Sequence, residues 1–454
     1  MEEPNDPISR PLGTTEQNWV RAVVGGTGIT VLALLLSPPP DLSLLRTAIH
    51  GLQNTHPILR SSLSSSSVYT PPPSLSPLIE IESFSLASTS DLLHSLSSPD
   101  PPHLPFLHLL LERELNRNPW SNSTSGQVLF TTHYELPNLK SVLVLRLHTV
   151  ACDRTSAVAM LKELPEMLRG AGAEWDEEKT PGLAVESMIP TRRGDKPFWA
   201  RGLDLVGYSL NTMRWAHLEF QDVGAPRCTE VIRMQMGAEE TRTIVEGCKA
   251  RGIKLCGALA AAGLIAAYSS KFKHPDVAQT ENYSIVTLVD CRKLLDPVLD
   301  NRNLGFYHSA ILNTHSISKG EKLWDVAARC YNALSNSIDA DKHFKDMGEL
   351  NFLMCKAMDN PGFTPSGSLR TSFMVLFEDP VIEDGSLESC SGLGLEDYMG
   401  CSSIHGVGPS MAVFDTIRDG RLDCACVYPS PLHSRKQMMD LVGNMKNVLI
   451  SKGE

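Results

Sequence analysis

Val142-Leu143-Val144-Leu145-Arg146-Leu147-His148-Thr149-Val150-Ala151-Cys152-Asp153-Arg154-Thr155 decides how this chain is read. From Val142 to Leu147 it is almost wholly aliphatic, the composition of a strand buried in a sheet. Polar residues follow at His148 and Thr149. Asp153 then stands where a helix N-cap belongs, ahead of Val158, Leu161, Leu164 and Leu168 at helical spacing. The stretch predicts a strand, a tight turn and a helix, with three chemically active side chains gathered at the turn.

The 454 residues exceed what one hydrophobic core usually organises, so two domains are expected, and a 42% hydrophobic fraction with 20% charged residues is that of a globular protein. A net charge of -11 without any run of Lys or Arg argues against a nucleic-acid partner, because phosphate binding needs a basic surface. The cysteines number 11 and are scattered without metal-ligand spacing, which predicts free thiols in a reducing, cytoplasmic compartment and no metal site. Cys424 and Cys426 share a strand face and read as packed thiols. The acidic start Met1-Glu2-Glu3 lacks the basic region of a signal peptide, and the apolar run 22–35 is interrupted by Gly25, Gly26 and Gly28 and falls short of the roughly 20 residues a membrane helix needs. No membrane association is expected, and a monomer acting on a small molecule is the simplest partner reading.

Along the chain, strands are predicted at 29–35, 78–84, 128–133, 142–147, 228–236, 283–290, 372–377, 410–414 and 422–428. Helices are predicted from Asp41 to the His56-Pro57 break, after Asp153, and over 238–250, 255–268, 325–339 and 436–450. Between Ser61 and Pro102 the serines and prolines suggest loops around one strand. Periodicity is lost again between Gly170 and Asp204. The expected division is an N-terminal domain over 1–175, a crossover over 176–225 and a C-terminal domain over 226–454.

Five local matches, in order, resemble the coenzyme-A-dependent acyltransferase superfamily, which includes chloramphenicol acetyltransferase, peptide-synthetase condensation domains, alcohol acetyltransferases and the plant BAHD enzymes. They are Arg10-Pro11-Leu12-Gly13 with Glu16, His56-Pro57-Ile58-Leu59-Arg60, the turn from Leu147 to Asp153, Val289-Asp290-Cys291-Arg292, and the segment around Gly305. The BAHD Asp-Phe-Gly-Trp-Gly sequence is absent; His405-Gly406-Val407-Gly408-Pro409 occupies its neighbourhood. The resemblance implies an α/β fold of two chloramphenicol-acetyltransferase-like domains, with mixed β-sheets, flanking helices and an active-site channel between them. It implies acyl-CoA as a co-substrate, with no bound cofactor, and a catalytic histidine four residues before a structural aspartate that pairs with an arginine.

Carried onto this chain, the aspartate is Asp153 and its arginine Arg292, but the catalytic position is Thr149. The histidine stands one place early, at His148, and none of the 14 histidines has an aspartate four residues later. A threonine hydroxyl is too weak a base at neutral pH to take a proton from an alcohol. His148 reads either as a core histidine at a strand end or, through a local bulge, as a redirected base. Thr149 reads as a residue lining the channel. Arg154, where the family has glycine, is either a surface cation or a ligand for an anionic substrate. His308 and His405, in segments that line the channel in relatives, are each a packing residue or a displaced base. Three functions follow: acyl transfer from a CoA thioester to an alcohol or amine of small-molecule, specialised metabolism with a non-standard base; a repurposed enzyme catalysing elimination, cyclisation or condensation; or a non-catalytic binding protein.

Overall fold

The structure, a computed structural model, describes residues 7–72, 79–97, 103–122, 126–169, 180–197, 215–271, 280–383 and 394–451. The chain forms two compact units, neither continuous in sequence. The first takes Met1–Met188, Pro297–Tyr307 and Gly385–Ser403; the second takes Ile189–Asp296, His308–Asp384 and Ile404–Glu454. Two short pieces of the second half therefore belong to the first unit, which a linear division at 175 and 226 does not anticipate. Periodicity locates an element without saying which core it joins. Of the expected crossover, 176–179 and 198–214 lie outside the described residues.

In the first unit a five-stranded sheet runs in the order Leu395–Ile404, Thr27–Leu36, Lys140–His148, Leu129–Leu136, Ile81–Phe84. Lys140–His148 is its central strand, antiparallel to both neighbours, with Leu147 opposite Thr30 on one side and Leu129 on the other. Successive side chains on a strand take opposite faces. Leu143, Leu145 and Leu147 enter a core with Leu45, Ile49 and Leu52 of the helix Leu42–Thr55 and with Leu161 and Leu164 of the helix Arg154–Leu168. Asp41 caps the first of these helices by accepting from the Ser43 N–H at 2.7 Å, and Pro57 follows its end. Arg146 points to the other face, where it ion-pairs with the fully buried Glu114 of the helix Phe106–Leu115. The Tyr134 hydroxyl and Arg113 also donate to that carboxylate, which is how an arginine survives in a buried strand.

The Ser-rich region holds more structure than its composition predicts. A helix, Leu86–Leu96, starts at Ser85, whose hydroxyl accepts from the Ser88 N–H, and buries little beyond Thr89 and Leu93. So thin an apolar stripe leaves no periodic signal among serines.

The second unit is built on a seven-stranded sheet: His308–Ile317, Glu281–Asp290, Arg370–Phe377, Gly408–Arg418, Arg421–Ser430 and Cys228–Gln235, with Val381–Glu383 paired beside Gly408–Arg418. Parallel pairing on both sides of Arg370–Phe377 makes this sheet mixed. The hairpin predicted at Arg418-Asp419-Gly420-Arg421 forms, with Asp419 (φ 48°) and Gly420 (φ 71°) both left-handed, as a two-residue primed turn requires. Cys424 and Cys426 are buried free thiols. No single helix among the described residues is long and apolar enough to cross a membrane.

The Ala-rich helix Leu255–Lys271 lies against the helix Leu323–Asp339 so closely that a Cβ on Gly257 would sit 2.9 Å from the Ala327 carbonyl oxygen. In the helix Arg435–Ile450, by contrast, a Cβ on Gly443 would meet nothing within 4 Å. Chemical denaturation of two variants separates packing from backbone entropy. Gly257→Ala should lose about 1–3 kcal/mol through overpacking, and Gly443→Ala should gain about 0.4–1 kcal/mol by restricting the unfolded chain.

Candidate active site

The central strand of the first unit ends at His148, and Thr149 begins the turn that follows. Ile29 is directly opposite His148, and the Thr149 N–H donates to the Gly28 carbonyl at 3.1 Å. The His148 ring turns inward, packing edge-on against Trp120 with ring centroids 5.2 Å apart, and it is 2% exposed. Its Nδ1 accepts from the Val150 N–H at 3.2 Å, which places the ring proton on Nε2. Burial pushes its pKa down to about 3. A neutral imidazole whose lone pair is occupied by its own turn has the character of a core histidine.

Thr149 stands beside Gly28. Its methyl group and the Trp19 ring both lie where a Cβ on Gly28 would meet them, each at 3.0 Å, and Gly28 has a left-handed φ of 93°. Trp19 in turn packs on Phe306 at 5.1 Å. The Thr149 hydroxyl makes no hydrogen bond among the described residues. Gly28 and Trp19 thus stand beside Thr149, with Phe306 packed on Trp19. In the sequence the glycine-broken run at 25–28 and the segment around Gly305 lie near them, but neither says that they meet.

Asp153 closes the turn as the N-cap of Arg154–Leu168. Its Oδ1 accepts from the Ser156 N–H and hydroxyl, each at 2.9 Å, and its Oδ2 accepts from the Tyr307 N–H at 3.0 Å. The Asp153 N–H donates to the Gly305 carbonyl at 3.0 Å, and the Gly305 N–H donates to Ser156 Oγ at 3.1 Å. One carboxylate therefore joins strand end, helix start and the 305–307 segment. Gly305 is required there: at φ 152° a Cβ would lie 2.8 Å from the Tyr307 ring. Arg154 is half-buried at the first helical position.

The remaining candidates belong to the second unit. Arg292 is 1% exposed and ion-pairs with Asp290, Nη1 to Oδ1 at 3.2 Å. His308 stands opposite Asp290 in the ladder, its ring edge-on to Phe377 at 5.7 Å. His405 places Nδ1 2.9 Å from Thr229 Oγ1, and its pKa falls to about 4 through burial, with Arg370 and Arg227 adding to the shift. Cys152 is buried beneath the turn. Among the described residues no group of three or more His, Cys, Asp or Glu is placed to hold a metal ion.

No family model matches the chain, and no curated protein sequence does. Solved structures match it over nearly its whole length. Polyketide synthase associated protein 5 from Mycobacterium tuberculosis is 18% identical with a TM-score of 0.66, covering 100% of both chains. The trichothecene 15-O-acetyltransferase of Fusarium sporotrichioides is 12% identical with a TM-score of 0.68, over 99% of this chain and 96% of that one. The cyclization-docking bidomain of the EpoB synthetase from Sorangium cellulosum is 12% identical with a TM-score of 0.70, over 98% and 85%. The chain has the two-domain fold of the coenzyme-A-dependent acyltransferases and condensation domains.

Two measurements test the turn. His148 should stay neutral in an NMR titration from pH 8 to pH 4. Its folded pKa lies below the unfolded value near 6.5, so its contribution to stability is complete above about pH 6.5 and is lost as pH falls toward 3, with a slope of up to ~1.4 kcal/mol per pH unit. Replacing Asp153 by Ala strands the Tyr307 N–H and removes the cap, and should cost about 1–3 kcal/mol in urea denaturation.

Proposed function

We propose that this chain, built on the acyltransferase and condensation-domain fold, transfers an acyl group from a thioester such as acyl-CoA to a small-molecule acceptor that is nucleophilic without first losing a proton, an amine rather than an alcohol. The observation that carries this reading is the pair of orientations at the turn: the His148 imidazole is enclosed in the first unit, and the Thr149 hydroxyl has no partner among the described residues. An alcohol attacks a thioester carbonyl only as its proton leaves, and a general base there contributes roughly 10²–10⁴-fold. A neutral amine already carries its lone pair. Nitrogen bonds to the carbonyl carbon, the carbon–sulfur bond breaks, and the proton shed by nitrogen ends on the departing thiolate. Thr149 orients the reactants by hydrogen bonding, so the rate derives from proximity. On this reading Arg154, His308 and His405 contact substrate, Asp153 and Arg292 hold the loops, and the protein works in the cytoplasm as a monomer without a bound cofactor. Acyl transfer on this fold is supported by the Fusarium 15-O-acetyltransferase, although that enzyme by its name acylates oxygen.

A second reading, in which the same scaffold catalyses a cyclisation, elimination or condensation, is favoured by the match at TM-score 0.70 to a cyclization-docking bidomain. Purified protein mixed with a panel of acyl-CoA donors and paired amine and alcohol acceptors distinguishes them through the CoA thiol released. The expected result is turnover with amines and little with alcohols, and a gain of about 10²-fold toward alcohols in Thr149→His. Equal turnover of alcohols and amines by the unmodified protein would overturn the amine assignment. Absence of thiol release from every pair, with no gain in Thr149→His, would replace acyl transfer by the second reading.

A further inference from the structure

Two guanidinium groups of the second unit share one acceptor. Arg370 Nε donates to the Ser368 carbonyl at 3.2 Å, and Arg227 Nη1 donates to the same oxygen. Arg370 is fully buried and commits its terminal nitrogens to the carbonyls of Ile404, Pro409 and Gly406, holding the turn between two strands. Arg227 is half-buried and gives Nη2 to the Val223 carbonyl at 3.3 Å. Among the described residues neither arginine meets a carboxylate. Carbonyl dipoles satisfy hydrogen bonds but leave the charge uncompensated, and two positive charges against one oxygen repel. Burial and Arg227 together push the Arg370 pKa down to about 9. The neighbouring histidines, His405 and His433, supply no negative charge; each is pushed to about 4, chiefly by burial and then by Arg370.

The loop that offers the shared carbonyl is itself strained. Ser366 (φ 53°) and Leu369 (φ 61°) are left-handed beside Gly367 (φ 68°), a conformation that non-glycine residues hold only where their surroundings impose it. Thr364 Oγ1 accepts from the Leu369 N–H at 2.8 Å, and Ser368 Oγ accepts from the Arg370 N–H at 3.2 Å. These bonds aim the Ser368 carbonyl at both arginines.

We propose that Arg227, backed by Arg370, is an anion-binding site for a carboxylate or phosphate group carried by a small molecule. Arg227 is the contacting residue. Beyond the bonds to Ser368 and Val223, its Nε–H and one N–H on each terminal nitrogen are left for the two-pronged contact that guanidinium makes with oxyanions. Arg370 is sealed and contributes charge, not contact. The site is read by binding, so it stands or falls independently of acyl transfer.

Isothermal titration of the full chain with inorganic phosphate, with malonate, and with chloride at matched ionic strength tests the assignment. Phosphate or malonate should bind with one-to-one stoichiometry and chloride should not; which of the two binds more tightly identifies the group. Arg227→Gln should weaken the interaction about tenfold or more, the loss of one charge-assisted contact. Arg242→Gln, at an exposed arginine paired with Glu239, should leave it unchanged. Should Arg227→Gln lose its circular dichroism signal, Arg227→Lys keeps the charge without the fork and should bind with intermediate affinity. Failure of both oxyanions to bind the unmodified protein, or undiminished binding by a folded Arg227 variant, would overturn the site.

Discussion

A carboxylate withdrawn from water needs hydrogen-bond donors in place of the solvent, and Asp153 has the Ser156 N–H, the Ser156 hydroxyl and the Tyr307 N–H. Those donors come from two stretches far apart in sequence. The helix Arg154–Leu168 supplies the first pair by starting at Asp153, and the backbone at 305–307 supplies the third. The central strand of the first sheet, the direction in which the following helix leaves it, and the seating of the 297–307 segment in this unit all meet at one side chain. Gly305 completes the arrangement because any side chain there would strike Tyr307.

The chemistry of the turn follows from where that strand ends, with His148 its last residue and Thr149 the first of the turn. His148 is buried at the end of that strand. It packs on Trp120 and its Nδ1 is occupied by the Val150 N–H, while Thr149 stands beside Gly28 and Trp19. Of the two readings open for His148 in the sequence, the unbroken ladder to Ile29 suits the core histidine.

Legibility varied with the kind of signal. Strands with aliphatic runs, such as Lys140–His148 and Thr27–Leu36, and helices with a cap and a clear stripe, such as Leu42–Thr55, are readable because local periodicity and burial agree. Leu86–Leu96 is not, since two buried side chains among serines carry no period. The strand Leu395–Ile404 is hidden differently: its residues alternate weakly, and its place at the edge of the first sheet depends on a return of the chain from the second unit. At the candidate site Asp153, His148 and Thr149 were visible as motif positions. Trp19 and Phe306 were not, because nothing in their local sequence says that they meet.

By itself the sequence determined the residue types at the turn, and with them the absence of an imidazole at position 149; it also determined the strand–turn–helix order and the cap at Asp153, all of which depend on neighbours a few positions away. Only the tertiary structure decided which way His148 and Thr149 face, which segments share a unit with Asp153, and that Arg227 and Arg370 converge on Ser368. Those outcomes rest on pairing register and on contacts between residues more than a hundred positions apart. Local propensity carries no information about either.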